Sequence, residues 1–589
     1  MKASDYVIDF LEKKNVKDVF LLSGGGMMHL LNSLAHSSIH AYYNLNEQAT
    51  SICADAYAQY TNELSVCFVT TGPGGTNAIT GVVSAYQDST PMLVISGQVK
   101  TADLAPKGVR VYGPQEVNIT GLVKDVTKYA VTVKNPLELR YHLEKAVYLA
   151  THGRRGPVWI DIPLDVQAAN IDAEQLVGYD EENDNAIVSD EVFNSIISDL
   201  RLAKRPAILL GHGIVAAKAQ TIVNQVAELA KIPILTTWRA KELFTEDYSY
   251  YFGSPGSQAP RYANFILQKS DFLLIVGTRL DWSLTAFDEK NFAPDAKKYI
   301  VDIEQQEMDK LKIEFEGKIN CDAGYFMEKL FHELSNLSFI FEDNDGWLEQ
   351  CAKWKETYPI YNEKMALETQ GVWGYDFAKE LNKYSDDNDV YAVSPTGRVC
   401  IAMNLGIALK GNQRFVAPRG LGSMGYALPT AIGACIAGGY RRTICFEGDG
   451  SLQHNLQELQ LLVTYKLPIK LFVYNNGGYS SIYGMQNSHF SGYLAGCTSE
   501  SGVMLPSIEK IAGAYGIAYD CISDSHSLEE GVKRVLKDSK PVICEVIGDI
   551  RFEEIPRTQT RVHEDGTITS SSMVDLYPFL DLEEINEEK

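Results

Sequence analysis

Short apolar runs alternate along the chain with longer segments in which apolar residues recur at helical spacing. Glycine, proline or polar residues follow most of the runs, which is how a buried strand ends before a turn. Strands that alternate with helices predict a mostly parallel sheet with helices on both faces. We predict strands at 18–22, 40–45, 65–71, 91–97, 157–163, 207–210, 232–236, 272–276, 299–303, 443–447 and 469–474.

Two acidic segments, at 179–184 and 341–345, divide this pattern into three blocks. Such charge runs are typical of solvated linkers. The chain is therefore predicted to form three α/β domains, each a doubly wound parallel sheet. Their predicted ranges are 1–170, 190–342 and 370–549. Residues 550–589 have few apolar repeats, and we predict that they form an extended tail lying over another surface.

Composition and charge limit the classes of protein and of partner that are expected. Hydrophobic residues make up 45% and charged residues 22% of the 589, as in ordinary globular proteins. The 53 Lys and Arg against 76 Asp and Glu give a net charge of −23, so nucleic acid and anionic membranes are not expected partners. Ten cysteines without a Cys-x-x-Cys motif predict reduced thiols in a cytoplasmic protein. No apolar run approaches the ~20 residues of a membrane helix.

The most informative motif follows the predicted strand 443–447. It reads Gly448-Asp449-Gly450-Ser451, and leucines at helical spacing then predict a helix over 452–464. The next strand, 469–474, ends in Asn475-Asn476, followed by two glycines. Because neighbouring parallel strands end at the same edge of a sheet, the carboxylate and the amide should meet beside a helix N-terminus. That arrangement predicts a site for Mg²⁺ bridged to a diphosphate.

Gly-Asp-Gly alone would also fit an ordinary polar turn. Together with the asparagine pair, it resembles the cofactor motif of the acetohydroxyacid synthase and pyruvate oxidase superfamily of thiamine diphosphate enzymes. The resemblance implies that Asp449, Asn476 and the carbonyl of Gly478 hold Mg²⁺. It also implies that Gly448, Gly450, Ser451 and Tyr479 border the cofactor.

The first block carries Asn46-Glu47 at the end of a strand. A glutamate there could simply be a charge favoured in the first turn of a helix. In the family a glutamate at this place faces N1′ of the cofactor's aminopyrimidine, and His often precedes it where this chain has Asn46. The resemblance therefore implies a catalytic role for Glu47.

Further segments of the first block match the family in order. Thr70–Asn77 looks like a phosphate loop but fails Gly-x-Gly-x-x-Gly at Asn77. The resemblance places Pro73, Asn77 and Gln98 on the pyrimidine side, and Gly24, Gly25 and Gly26 at the catalytic centre, with Gly25 as a catalytic position. Gln115, otherwise a loop residue, matches a pocket glutamine whose amide can bind a substrate carboxylate or oxyanion.

The third block resembles the family at two more segments. In Arg419–Tyr426, Gly422 and Met424 would contact the bent cofactor, although a methionine is usually a packing residue. Thr396, Gly397 and Arg398 would line a diphosphate-contacting turn. The synthases carry Gln-His after this glycine, and this chain has Arg398-Val399 instead.

The middle block contains a motif that supports a different function. Gly211-x-Gly213-x-x-Ala216 follows a strand, and by itself it predicts a dinucleotide-binding site. A nicotinamide oxidoreductase would need an acid at the end of the next strand, but the run 232–237 ends in Trp238. Within the family this block is Rossmann-like and binds FAD in some members. We therefore expect FAD here as a possible cofactor.

The resemblance spans about residues 1–550. It implies pyrimidine-binding, Rossmann-like middle and diphosphate-binding domains, in that order. The expected reaction is decarboxylation of a 2-keto acid such as pyruvate, followed by transfer of the acyl carbanion to a carbonyl acceptor. A simple decarboxylase or oxidase of the family would share every motif.

A catalytically silent binding protein is disfavoured because Glu47, Asp449 and Asn476 are all present. Residues 476–482 and the tail most resemble family members associated with sugar biosynthesis, some of which transfer acetyl units to keto-sugar nucleotides. We further expect a homodimer or homotetramer, since in the family one cofactor contacts two subunits.

Overall fold

The computed structural model describes residues 1–181, 188–361, 370–551, 553, 555–562 and 568–581. Three all-parallel sheets follow one another along the chain, each with helices packed against it, and this confirms the predicted fold class. We call them, with their helices, the first, middle and third domains. Part of the acidic segment predicted as a linker, 182–184, lies outside the described residues.

The first domain has a six-stranded sheet in the order β2-β1-β3-β4-β6-β5. Its strands are β1 Asp18–Leu21, β2 His40–Tyr43, β3 Ser65–Val69, β4 Met92–Gln98, β5 Tyr129–Thr132 and β6 Pro157–Pro163. Its α-helices are Ala3–Lys13, Met28–Ala35, Glu47–Thr61, Pro73–Gln87, Ile119–Val123, Leu139–Thr151 and Leu164–Ala168, with 3-10 turns at Gly25–Met27, Thr101–Asp103, Lys124–Val126, Pro136–Glu138 and Ala173–Gln175. Alternate β3 residues enter two separate cores, Val66 and Phe68 in one and Cys67 and Val69 in the other, because the sheet is covered on both faces.

The middle domain has a five-stranded sheet in the order β11-β10-β9-β7-β8. Its strands are β7 Pro206–Leu210, β8 Ile234–Thr236, β9 Phe272–Val276, β10 Lys297–Asp302 and β11 Gly317–Asn320. Its helices are Asp190–Leu202, His212–Ala216, Gln220–Ala230, Trp238–Leu243 (3-10), Arg261–Lys269, Gln305–Asp309, Ala323–Asn336 and Trp347–Thr357. The strand order reverses between β7 and β9, and a crevice opens at such a point beyond the strand ends.

The third domain has a six-stranded sheet in the order β13-β12-β14-β15-β17-β16. Its strands are β12 Val390–Val393, β13 Arg414–Val416, β14 Thr443–Gly448, β15 Ile469–Asn475, β16 Ala518–Ile522 and β17 Val542–Ile547. Its helices are Gly374–Tyr384, Arg398–Gly406, Ala427–Ala437, Asp449–Leu452, Leu456–Glu458 (3-10), Leu459–Thr464, Ser480–His489, Ile508–Tyr515 and Ser525–Lys537.

The helix predicted over 452–464 is interrupted. One short helix ends at Leu452 and another begins at Leu459, with a 3-10 turn between them. At the break, the Asn455 side chain donates to the carbonyl of Gly425 at 2.8 Å and to Gln48 Oε1 at 3.1 Å. These contacts to distant segments hold Asn455 outside the helical conformation, and leucine spacing cannot reveal them.

The first and third domains share one hydrophobic core. Helix Glu47–Thr61 lies along helix Ala427–Ala437, and Cys53 and Ala431 belong to the same buried cluster. A Cβ at Gly433 would collide with the carbonyl oxygen of Cys53, so glycine permits this close approach of the two helices. The two domains are therefore packed as one body, although the middle domain separates them in sequence.

The described part of the tail lies over the middle domain, as an extended segment with one antiparallel hairpin, β18 Thr560–Val562 and β19 Ile568–Ser570. Asn264 donates to the carbonyl of Met573 at 2.9 Å, and Arg261 donates to that of Leu576 at 2.8 Å. Met573 is buried in the middle-domain core. Within the described residues, no helix is long and apolar enough to cross a membrane.

Candidate cofactor site and middle-domain cavity

The Asp449 carboxylate joins two neighbouring strand ends. Gly448 on β14 is in register with Tyr474 on β15, so the turn after β14 faces the loop after β15. Asp449 Oδ2 accepts from the backbone N–H groups of Gly477 and Gly478, at 2.9 and 3.1 Å, and Oδ1 accepts from Gly450 N at 2.8 Å. Burial raises the pKa of Asp449 to about 6, while these N–H groups favour its ionised form.

Asn476 supplies a second oxygen beside this carboxylate. Its Oδ1 is buried and has no hydrogen-bond partner among the described residues. A buried amide oxygen without a partner is costly, and a cation ligated there would remove that cost. One carboxylate, one amide oxygen and a nearby carbonyl fit Mg²⁺. Consistent with a set so poor in carboxylates, no cluster of three His, Cys, Asp or Glu suited to a metal occurs in the described parts of the chain.

Glu447 is a site residue that the sequence analysis missed. It is fully buried, and its carboxylate accepts from the backbone N–H of Ala427 at 3.1 Å and of Gly448 at 3.2 Å. Ser451 Oγ accepts from Gly425 N at 2.8 Å. These bonds tie the Asp449 turn to the segment that carries Gly422 and Met424. The sequence gives no signal for this, because Glu447 reads as the last residue of a buried strand.

Open space adjoins four glycines of the predicted site. A Cβ at Gly25, Gly397, Gly422 or Gly477 would meet no other atom within 4 Å. Three of them, all but Gly25, have positive φ, which glycine adopts without strain. Gly397 stands between Thr396 and the buried Arg398, at the start of helix Arg398–Gly406. Backbone that carries no side chain and faces open space fits a ligand that approaches the main chain closely, as a diphosphate does.

Glu47 opens the helix Glu47–Thr61 and is buried in the first domain. The Asn46 side chain caps this helix, because its Oδ1 accepts from Gln48 N at 2.8 Å. Asn77 Nδ2 donates to Glu47 Oε2 at 3.1 Å. Two residues that the resemblance implicates are therefore in contact, and Asn77 orients the Glu47 carboxylate.

The other predicted residues of the first domain converge beyond the ends of β1, β3 and β4. Gly26 N donates to Thr70 Oγ1 at 3.1 Å, and a Cβ at Gly24 would collide with Thr70. Pro73 begins the helix Pro73–Gln87. The Gln115 side chain is exposed, whereas Gln98 is buried and bonded within the protein at both ends of its amide. The cofactor contact of Gln98 remains a prediction.

The first and third domains also meet next to Glu47. Besides the Gln48–Asn455 contact, Asn44 donates to the buried Glu458 at 2.9 Å. Across the described ranges, no hydrogen bond or ion pair joins Glu47 to Asp449. The chain therefore holds both halves of the predicted site on one core without direct contact between these two carboxylates.

The middle domain contributes a cavity of about 1050 Å³. It opens beyond the ends of β7 and β9, at the reversal of strand order, and is bounded by Gly213, Thr278, Asp302, Asn320 and Tyr325. A Cβ at Gly211 or Gly213 would strike Gly277, so these glycines allow the two strand ends to approach closely. The predicted Gly-x-Gly turn therefore lies at the rim of a large cavity.

Several arginines line this cavity, and Asp88, which also lines it, pairs with Arg239 at 3.4 Å. Arg155, Arg239 and Arg279 all border it, and their charges, after burial, lower the pKa of the buried His212. Arg239 donates to the carbonyl of Asp88 at 2.5 Å, and Arg279 donates to that of Gln87 at 2.8 Å. These two hydrogen bonds attach the cavity wall to the C-terminal end of helix Pro73–Gln87. The first turns of the same helix carry Pro73 and Asn77.

Comparison with known proteins agrees with this geometry. Residues 1–122 match the N-terminal TPP-binding domain of thiamine pyrophosphate enzymes, 193–330 their central domain and 395–546 their C-terminal TPP-binding domain. The acetolactate synthase large subunit of Cyanidium caldarium is 30% identical over 558 residues, covering 92% of each chain.

Two prokaryotic relatives give the same result. The probable acetolactate synthase large subunit of Methanocaldococcus jannaschii is 30% identical, covering 93% of this chain and 92% of its own. The acetolactate synthase of Arthrospira platensis is 28% identical, covering 92% and 93%.

We predict that Gly450→Ala disturbs the Asp449 turn even without any ligand. The added Cβ would strike the Tyr479 ring and displace the loop that donates to Asp449. The melting temperature of the ligand-free protein should fall, since overpacking costs about 1–3 kcal/mol. Gly448→Ala is the matched control, because its Cβ would come no nearer than 3.8 Å to Ser451. Equal melting temperatures for the two variants would contradict this assignment.

Proposed function

Because the chain belongs to the thiamine pyrophosphate enzymes of the acetolactate synthase type, we propose that it decarboxylates pyruvate and transfers the acetyl unit to a carbonyl acceptor. The family makes it a thiamine diphosphate-dependent carboligase, and pyruvate as donor is the finer proposal. The observation that carries this proposal is the buried, unpartnered Asn476 Oδ1 beside Asp449.

Mg²⁺ in this proposal is held by Asp449, Asn476 and the carbonyl of Gly478, and it neutralises the cofactor's diphosphate. The bare backbone at Gly397 and Gly422 gives that diphosphate and the adjoining ring room to approach. Arg398, buried at the first position of its helix, adds a fixed positive charge nearby.

Thiamine diphosphate, when bound, supplies the electron sink that lets the carboxylate of a 2-keto acid leave as CO₂. Asn77 holds Glu47 through Oε2, so Oε1 of the same carboxylate is the atom that would share a proton with the cofactor's pyrimidine. The exposed Gln115 amide would donate to the substrate's carboxylate or oxyanion without adding charge. The open side of Gly25 leaves room for the reacting carbons.

A second candidate acceptor is a keto-sugar nucleotide. The resemblance of residues 476–482 and of the tail to family members associated with sugar biosynthesis supports it.

We predict that the protein with Mg²⁺ and thiamine diphosphate releases CO₂ from pyruvate and forms a new C–C bond. Product analysis by mass spectrometry should show a hydroxy-keto acid with pyruvate alone. A branched sugar nucleotide should appear if a keto-sugar nucleotide is the true acceptor. Glu47→Gln should retain the cofactor and lose turnover. Free acetaldehyde, or acetate formed with an electron acceptor, would identify a simple decarboxylase or oxidase instead.

The middle-domain cavity is proposed to hold FAD in a non-redox role. Its volume lies at the upper end of known ligand sites. The arginines that line the cavity suit a pyrophosphate, and the position at the reversal of strand order is where dinucleotides bind in such sheets.

We predict that the purified protein carries flavin or takes up added FAD, seen by flavin absorbance and by fluorescence after release. Arg279→Met should weaken FAD binding about tenfold or more, since it removes a charge-assisted contact. Arg201→Met, on an exposed helix position, is the control and should bind as the unaltered protein does. A colourless protein that takes up no FAD would refute this proposal.

The active assembly is proposed to be a homodimer or a dimer of dimers. Large apolar side chains stand exposed on loops around the site, including Tyr112 at 65%, Tyr493 at 84% and Met504 at 85%. A second copy that packs over these loops would bury them. In this arrangement each site combines Glu47 of one chain with Asp449 of the other.

We predict that mixing inactive Glu47→Gln with inactive Asp449→Ala restores activity once subunits exchange. Each mixed dimer then holds one intact site, so statistical mixing should return about a quarter of the unaltered activity. The exchange itself is verified with differently tagged chains. Confirmed exchange without recovery would mean that each chain builds its own site.

A further inference from the structure

Asp161 is a buried carboxylate that the proposed mechanism does not use. It stands at the end of β6 and is fully buried. It accepts three hydrogen bonds: from Ser96 Oγ at 2.6 Å, Thr132 Oγ1 at 3.0 Å and Gln98 Nε2 at 3.1 Å. No lysine or arginine in the described residues pairs with it. Burial raises the pKa of Asp161 to about 6, and the three side chains that donate to it favour the ionised form, in which it acts only as an acceptor.

The amide of Gln98 has one workable orientation beside this carboxylate. Its Nε2 donates both to Asp161 and to the carbonyl of Val117, the latter at 2.9 Å. Its Oε1 accepts from Thr71 Oγ1 at 2.8 Å and from Val99 N at 3.0 Å. A flipped amide would set oxygen against the oxygens of Asp161 and Val117, and NH₂ against the N–H of Val99. The acceptor oxygens of Asp161 and Val117 therefore fix which end of Gln98 donates.

The same bonds hold the loop that carries Gln115. Thr71 Oγ1, which bonds to Gln98, also lies 3.2 Å from the carbonyl oxygen of Gln115, so its one proton is shared between these two oxygens. Gln115 has φ of +66°, a left-handed conformation that costs a residue with a side chain on the order of 1 kcal/mol. A Cβ at Gly72 would lie 2.5 Å from the Gln115 carbonyl oxygen, so the two segments are in close contact. A strained backbone of this kind persists only while its surroundings hold it.

We infer that Asp161 is a positioning residue for the substrate pocket: through the amide of Gln98 it fixes the backbone of residues 115–117, and so the place of the Gln115 side chain. This inference rests on the pocket role proposed for Gln115. Of the three donors to Asp161, Gln98 is the one that also contacts the 115–117 backbone. The other contact of Ser96 is with Trp159, whose indole N–H donates to Ser96 Oγ at 2.8 Å.

The test is a double-mutant cycle between Asp161→Asn and Gln115→Ala, with Thr132→Val as matched control. Asp161→Asn keeps the size of the side chain but lets Gln98 reorient. It should lower kcat/KM for pyruvate about 10- to 100-fold, the scale of a small misplacement in an active site. The dissociation constant of thiamine diphosphate should stay unchanged. In the Gln115→Ala background, Asp161→Asn should have almost no further effect.

Thr132→Val removes a donor to the same carboxylate whose other contact, Thr120 Oγ1 at 3.4 Å, lies beyond residues 115–117, so it should leave kcat/KM unchanged. Losses that add in the double variant, or an equal loss in Thr132→Val, would overturn the inference. If Asp161→Asn does not fold, Gln98→Met breaks the same link, and it is read by hydrogen exchange in residues 113–117 and not by kcat/KM, because Gln98 is also a predicted cofactor contact. A Gln115→Ala variant with full activity would refute the role of Gln115 and, with it, this positioning role.

A second measurement does not depend on turnover. Amide hydrogen exchange in residues 113–117 should speed up in Asp161→Asn, and not in Thr132→Val, because only the former loosens the loop. Faster exchange in a protein that proves inactive toward pyruvate would support the link while refuting the proposed reaction. Unchanged exchange in Asp161→Asn would refute the link itself, whatever the reaction.

Discussion

Two parallel strands that end side by side impose the constraint on which the candidate site depends. At the ends of β14 and β15, Asp449 accepts backbone N–H groups from the opposite loop, and this fixes how the two loops face each other. Glu447 then ties the same turn to Ala427, and Ser451 ties it to Gly425. Buried carboxylates that accept backbone N–H groups thus hold the third-domain half of the site together, before any cation binds.

The first domain also has a buried carboxylate that holds loops in place by accepting hydrogen bonds. There Asp161 is buried at the end of a central strand, and side chains rather than N–H groups donate to it. The result in both domains is an acid that organises loops beyond the strand ends. Loops supply the groups that face a ligand, and the sheet supplies the rigid edge from which they extend.

Local patterns predicted most strands of the first and middle sheets but only β14 and β15 of the third, and they missed β5, β11, β12, β13, β16 and β17. Apolar runs ended where strands end, and Gly448–Ser451 with Asn475-Asn476 indicated which ends would meet. Local sequence patterns could not predict contacts between distant segments. Glu447 and Asp161 both sit in apolar runs and look like ordinary strand residues until Ala427 and Gln98 are placed beside them. Asn455 broke a predicted helix for the same reason, since Gly425 and Gln48 hold its side chain.

The core shared by the first and third domains has a consequence for how the chain folds. Cys53 and Gly433 meet in one helix pair, although most of the chain, including the whole middle domain, is synthesised between them. Contacts of such high sequence separation form slowly. On the ribosome the first domain must wait, with its share of this core exposed, until the third domain emerges. In that interval it is open to chaperones and to aggregation. The middle domain, whose sheet and one of whose two cores lie within one stretch of chain, can fold ahead of it and needs the tail only to complete its other core.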